Sequence, residues 1–145
     1  MDRLVILLAS GAYVGYVPVA SGTFGSLLAL PLLVALAGAT WPTVTLIVAL
    51  TVVAVLVSDR AGRIYGQTDS SRIVIDEVCG MLIAGACMPA TLWNLALAFL
   101  VFRLFDIVKP FPASHFDRHV KNGFGVVADD LVAGIYANLV VRVLT

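Results

Sequence analysis

The sequence predicts an all-α fold: a polytopic integral membrane bundle with helical hairpins and short interfacial segments, formed as one domain over residues 1–145. Two observations predict it. The chain is 61% hydrophobic and only 12% charged, whereas an ordinary soluble domain carries about 25% charged residues. The few charges are also clustered. Leu4 through Ser58 contains no Asp, Glu, Lys, Arg or His, nor do Val78–Phe102 and Leu131–Val141. A membrane-spanning helix needs about 20 apolar residues, so these stretches have room for several. Disorder is excluded, because it needs low hydrophobicity and high charge. The net charge of zero offers no basic surface to nucleic acid.

Each element follows in order. Met1-Asp2-Arg3 before Leu4–Ala9 makes a poor signal peptide, since Asp2 spoils the positive start and the apolar character runs on. Leu4–Val17, interrupted by Gly11 and Gly15, predicts a short interfacial or re-entrant helix. The Gly- and Pro-dense stretch Gly15–Ser26 predicts a loop, with Ser26 capping a helix that has Pro31 in its first turns and ends near Gly38. Thr43–Val57 predicts a helix running past Asp59 to Tyr65, where Gly66 stops it. After a polar loop over Gly66–Ser71, Ile73–Met88 and Leu92–Asp106 predict a hairpin turned at Met88-Pro89-Ala90-Thr91. Asp76 lies about 13 residues before Pro89 and Asp106 about 17 after it, or roughly 20 and 25 Å along the two helices. The hairpin therefore brings Asp76, Glu77, Arg103 and Asp106 to similar depth. Pro110 ends the second arm. Ala113–Val120 predicts a short amphipathic helix, Asn122–Gly125 a turn, and Val126–Leu144 a last apolar helix with Asp129 and Asp130 in its first turn. Cys79 and Cys87 read as buried, inert thiols. Trp41, Trp93 and Tyr16 read as interfacial anchors.

Three groups of residues suggest chemistry. Asp76-Glu77, Asp106 and Asp129-Asp130 all fall at ends of membrane segments. Carboxylates at a membrane boundary are costly, and hard oxygen ligands from several helices suit Mg²⁺. The same acids also fit helix capping and ion pairs with Arg72, Arg103 and Lys109, and spacing alone leaves both readings open. Gly22-Thr23-Phe24-Gly25-Ser26 at a helix start offers backbone N–H groups to an anion, or is a plain connecting loop. Arg103 and Lys109 flank Asp106, either as phosphate ligands or as its local partners. His115 and His119 have a metal-binding spacing but no HExxH context, and a headgroup-level helix is the preferred reading.

Four stretches, in order along the chain, resemble the phosphatidylglycerophosphatase A family: Gly15–Ser26, Ile73–Gly80, Phe102–Pro112 and Gly125–Gly134. The resemblance implies a Mg²⁺-dependent phosphatase of the bacterial cytoplasmic membrane. It would convert phosphatidylglycerophosphate to phosphatidylglycerol and phosphate, and its partners would be the phospholipid substrate and the bilayer. By matching position, the catalytic and metal-binding acids would be Asp76, Glu77, Asp106, Asp129 and Asp130, with Asp69 further out. Thr23, Ser26, Arg103 and Lys109 would hold phosphate oxygens. The chain departs from the family at Ser21, where Pro is usual, and at Asn122, where Gly is usual. Neither the DxDx[TV] motif of aspartyl-phosphate enzymes nor the Ser-Gly-His pattern of histidine phosphatases occurs, so direct attack by a metal-activated water is expected.

A small transporter or channel with acids along its path is the rival reading, yet the chain lacks the repeats such proteins show. The excess of Lys and Arg in Asp59–Glu77 and Arg103–Asp130, with Arg3, predicts a multi-pass topology with the acidic site on the cytoplasmic side.

Overall fold

The computed structural model describes all of residues 1–145 and contains seven α-helices and no strand. They are α1 (Asp2–Ala9), α2 (Ser21–Ala35), α3 (Thr40–Tyr65), α4 (Ile75–Gly85), α5 (Leu92–Val108), α6 (Ala113–His119) and α7 (Gly123–Leu144), with a 3-10 turn at Val14–Tyr16. Helices α2, α3, α4, α5 and α7 alternate in direction. One end of the bundle gathers the start of α2, the start of α4 and the end of α5, through Gly22, Glu77 and Arg103. The opposite end gathers the α2–α3 turn and the α4–α5 turn around a 350 Å³ cavity lined by Leu33, Thr43, Gly85 and Met88, among others.

Helix α4 is the central element. All its residues but Glu77 and Ile83 are buried. It lies so close to α7 that a Cβ on Gly80 would sit 2.7 Å from Asp130 O, and one on Gly134 would overlap Gly80 O. Small residues allow this approach, and the closer backbones gain packing contacts. Phe102, fully buried on α5, fills the space beside Gly80.

Helix α4 stops at Gly85, short of the Met88 expected from the apolar run. Its last carbonyls are instead met from α7. The two N–H of Asn138 Nδ2 are shared among Ile83 O, Ala84 O and Ala86 O at 2.9, 3.1 and 3.0 Å, and Arg142 Nη2 donates to Ala86 O and Cys87 O at 3.1 Å. The last carbonyls of a helix have no partner within it, and these side chains supply one.

The apolar surface faces outward. Helices α3 and α7 are long and apolar enough to cross a membrane, and only 17% of α3's most apolar window is buried against 56% for α7. Val44, Val48, Val52 and Leu56 form an exposed stripe on α3, and Leu100, Leu104 and Ile107 another on α5. Water-soluble monomers rarely expose patches of that extent. Trp41 and Trp93 are exposed at the end opposite the acids, and Tyr16 is exposed at the acidic end.

Several expectations are corrected. Helix α2 begins at Ser21, not after Ser26. Ala20, left-handed at φ 53°, turns the chain, and Thr23 N and Phe24 N donate back to Ala20 O. The glycines there serve close approach: a Cβ on Gly25 would lie 2.7 Å from Val74 Cβ. Pro31 therefore sits deep in α2. Asn122–Gly125 is not a separate turn but the cap and first turn of α7. Asn122 Oδ1 accepts from Gly125 N at 3.0 Å, which gives the departure from glycine at 122 a capping role. Asp129 and Asp130 consequently lie in the second turn of α7. Cys79 is buried as expected, whereas Cys87, in the left-handed α4–α5 turn at φ 55°, is exposed.

Candidate active site

The first turn of α4 projects Asp76 and Glu77 toward the second turn of α7, and the two helices can only meet there because Gly80 and Gly134 lack side chains. One carboxylate oxygen each from Asp76, Glu77 and Asp130 lies within 4.8 Å of the others. Asp76 and Asp130 are 6% and 3% exposed. Asp76 Oδ1 and Glu77 Oε2 are buried and have no hydrogen-bond partner. Buried charges without partners are costly unless a cation offsets them. Three converging carboxylates with two unmatched oxygens therefore fit a hard divalent cation, though the donor set names no particular metal.

The other site acids divide by environment. Asp106, at the end of α5, lies against Asp130 and receives Arg103 Nη1 at 2.5 Å. Asp129 is committed elsewhere: Oδ2 accepts from Lys109 Nζ at 2.5 Å and Oδ1 from Asp130 N at 3.0 Å. Asp69, exposed in the α3–α4 connection, lines a small cavity together with Asp117 and Asp129. Arg72 makes no carboxylate ion pair, and its guanidinium stacks over Tyr16 and Tyr65 instead, 5.1 and 5.5 Å from the ring centres.

The Gly22–Ser26 segment belongs to the same constellation. A Cβ on Gly22 would collide with Glu77 Oε1 and lie 3.2 Å from Arg103 Nη1. Ser21 Oγ donates to Ser71 O at 2.7 Å, tying the start of α2 to the residues before α4. Thr23 is half-buried in the first turn. Ser26 is fully buried, and its hydroxyl proton goes to Gly22 O at 2.8 Å.

Asp117 on α6 belongs to none of the motifs above, yet its Oδ1 accepts from Lys109 Nζ at 2.7 Å. The carboxyl is held below its usual range by this hydrogen bond. Burial alone would lower the Lys109 ammonium, but Asp117 and Asp129 together push it well above its ordinary value. Two prolines and a change of helix separate Lys109 from Asp117, so no periodicity joined them. His115 and His119 stack on each other, exposed, with ring centres 4.6 Å apart.

The chain is similar to several known proteins. A phosphatidylglycerophosphatase A from Escherichia coli is 37% identical over 131 residues, covering 89% of this chain and 76% of its own. A protein of Bacteroides thetaiotaomicron, provisionally named a phosphatidylinositol-3-phosphatase, is 34% identical over 149 residues, covering 97% of this chain and 92% of its own. A phosphatidylglycerophosphatase A from Haemophilus influenzae is 48% identical over 77 residues, covering 52% of this chain and 47% of its own. No solved structure matches the chain. The family described as phosphatidylglycerophosphatase A matches residues 7–145, a span that includes every site residue named above, and the chain belongs to that family.

Proposed function

We propose that the protein is a multi-pass membrane phosphatase that hydrolyses the terminal phosphomonoester of phosphatidylglycerophosphate, giving phosphatidylglycerol and phosphate, with Mg²⁺ as cofactor. The observation that carries the reading is the buried Asp76–Glu77–Asp130 group with its two unmatched oxygens, set beside Arg103 at one end of an apolar bundle. A transport path would need acids along the bundle, whereas these gather at one end. On this reading that end faces the cytoplasm of a bacterial inner membrane, and the outward valine and leucine stripes of α3 and α5 meet lipid.

Asp76, Glu77, Asp106 and Asp130 would hold the metal. When bound, Mg²⁺ supplies charge withdrawal from the phosphate and a more acidic water. The residues of the chain do the rest. Arg103, anchored through Nη1 to Asp106, keeps further N–H donors for phosphate oxygens. Lys109 Nζ keeps a third donor beyond its two carboxylates. Thr23 adds a hydroxyl at the start of α2, while Ser26 holds that turn through Gly22 O. Glu77 takes the proton of the attacking water as its oxygen bonds to phosphorus. The bond to the glycerol oxygen breaks, that oxygen takes a proton from solvent, and Glu77 gives its own proton up to solvent. Asp129 orients Lys109 and caps Asp130 N rather than binding metal.

The Bacteroides relative motivates one alternative substrate, a phosphoinositide bearing the same kind of phosphomonoester. Phosphate release by the purified protein from phosphatidylglycerophosphate, phosphatidylinositol 3-phosphate and phosphatidic acid in mixed micelles distinguishes them. The proposal expects the first to be preferred at least tenfold in kcat/KM, a gap of about 1.4 kcal/mol in transition-state binding. Preference for the inositol lipid would reassign the substrate.

A further inference from the structure

The amphipathic helix α6 reads from its sequence as a headgroup-level anchor, but it also reaches the site. Asp117 Oδ1 and Asp129 Oδ2, from α6 and α7, hold one ammonium between them, that of Lys109 at the end of α5. We propose that Asp117 is a positioning residue: it braces Lys109 so that the remaining N–H of the ammonium is directed at the terminal phosphate of a lipid phosphomonoester. The inference rests on the function proposed above.

Four observations support it. An ammonium has three donors, and two are taken, leaving one for substrate. A lysine side chain is among the costliest to immobilise, so fixing it before substrate arrives removes that cost from binding. The Asp117 carboxylate bonds Lys109 and is not one of the three acids whose oxygens converge, so it serves Lys109 and not the metal. Finally, α6 does not depend on Asp117 for its place. Ala113 is fully buried, Phe116 packs edge-on against Phe124 with centroids 5.9 Å apart, and Tyr136 Oη donates to Phe111 O at 2.8 Å.

A double-mutant cycle on the full-length protein in mixed micelles with Mg²⁺ tests this. Asp117→Asn is expected to lower kcat/KM for phosphatidylglycerophosphate about tenfold, chiefly through KM, as for loss of a hydrogen bond to a charged group. Asp117→Glu is expected to restore part of it. In a Lys109→Met background, Asp117→Asn is expected to add less than about twofold. Independent multiplication of the two losses, or wild-type kinetics in Asp117→Asn, would overturn the proposal. A second readout needs no turnover: acetic anhydride labelling of the Lys109 amine, followed by mass spectrometry. Labelling is expected to speed up severalfold in Asp117→Asn, and an unchanged rate would overturn the brace. A wild-type protein that releases no phosphate from any lipid would defeat the underlying function, while the labelling result would still decide the brace.

Discussion

Gly22→Ala separates fold from chemistry. Gly22 is the second residue of α2 and has no left-handed backbone, so alanine brings no strain there. Taken alone, the exchange favours the helix by no more than about 1 kcal/mol. The new Cβ, however, would overlap Glu77 Oε1 and lie 3.2 Å from Arg103 Nη1. Both contacts are tips of flexible side chains, so the helices can stay in place while the tips move. Carbon and oxygen separate comfortably near 3.5 Å, which requires Glu77 to retreat by roughly 1 Å. A misplacement of that size at a reacting group costs up to about 100-fold. We expect kcat/KM for phosphatidylglycerophosphate to fall between about 10- and 100-fold. The unfolding midpoint in the same micelles should be unchanged or slightly raised. Activity within twofold of wild type, with Glu77 shown to be displaced, would refute the role given to Glu77. A large drop in midpoint would refute the claim that α2 tolerates the methyl group.

Other outcomes follow from the same geometry. Asp76→Asn and Asp106→Asn should each lose most Mg²⁺-dependent phosphate release, and near-normal turnover in both would sink the assignment of the acids. Asn138→Leu should destabilise the protein by about 1–3 kcal/mol, the cost of one unpaired buried carbonyl. Ala86 O keeps Arg142 and Ile83 O keeps Ala86 N, so Ala84 O alone loses its partner; thermal unfolding in micelles reads this. The Asp117 carboxyl is depressed by Lys109, so its contribution is present above its unfolded value. It is lost as pH falls below about 4 and through the folded value. The thermal unfolding midpoint in micelles should therefore fall more steeply below about pH 4 in the wild type than in Asp117→Asn.

Much of the site was legible because it obeys helix arithmetic. The hairpin over α4 and α5 brings Glu77 and Arg103 together as their distances from Pro89 predict. Gly66, left-handed at φ 69°, ends α3 where the sequence placed the stop. What escaped was tertiary. Gly22 and Gly25 look like loop residues by local chemistry, and only the nearness of Glu77 and Val74 explains their lack of a side chain. The early end of α4 is invisible in its own sequence, because the residues that satisfy its carbonyls sit on α7. Asn138 and Arg142, four residues apart in the apolar second half of α7, were the available signal. Asp117 carried no signal of its own.

On the proposed function, the Asp76–Glu77–Asp130 group holds a divalent cation that supports hydrolysis of a lipid phosphomonoester. The most direct measurement is phosphate release from phosphatidylglycerophosphate by purified protein stripped with chelator and then refilled with Mg²⁺, alongside Asp130→Asn. We expect no release from the stripped protein, recovery on refilling, and none from the variant at the same Mg²⁺ concentration. Full release by the stripped protein, or by Asp130→Asn, would contradict it.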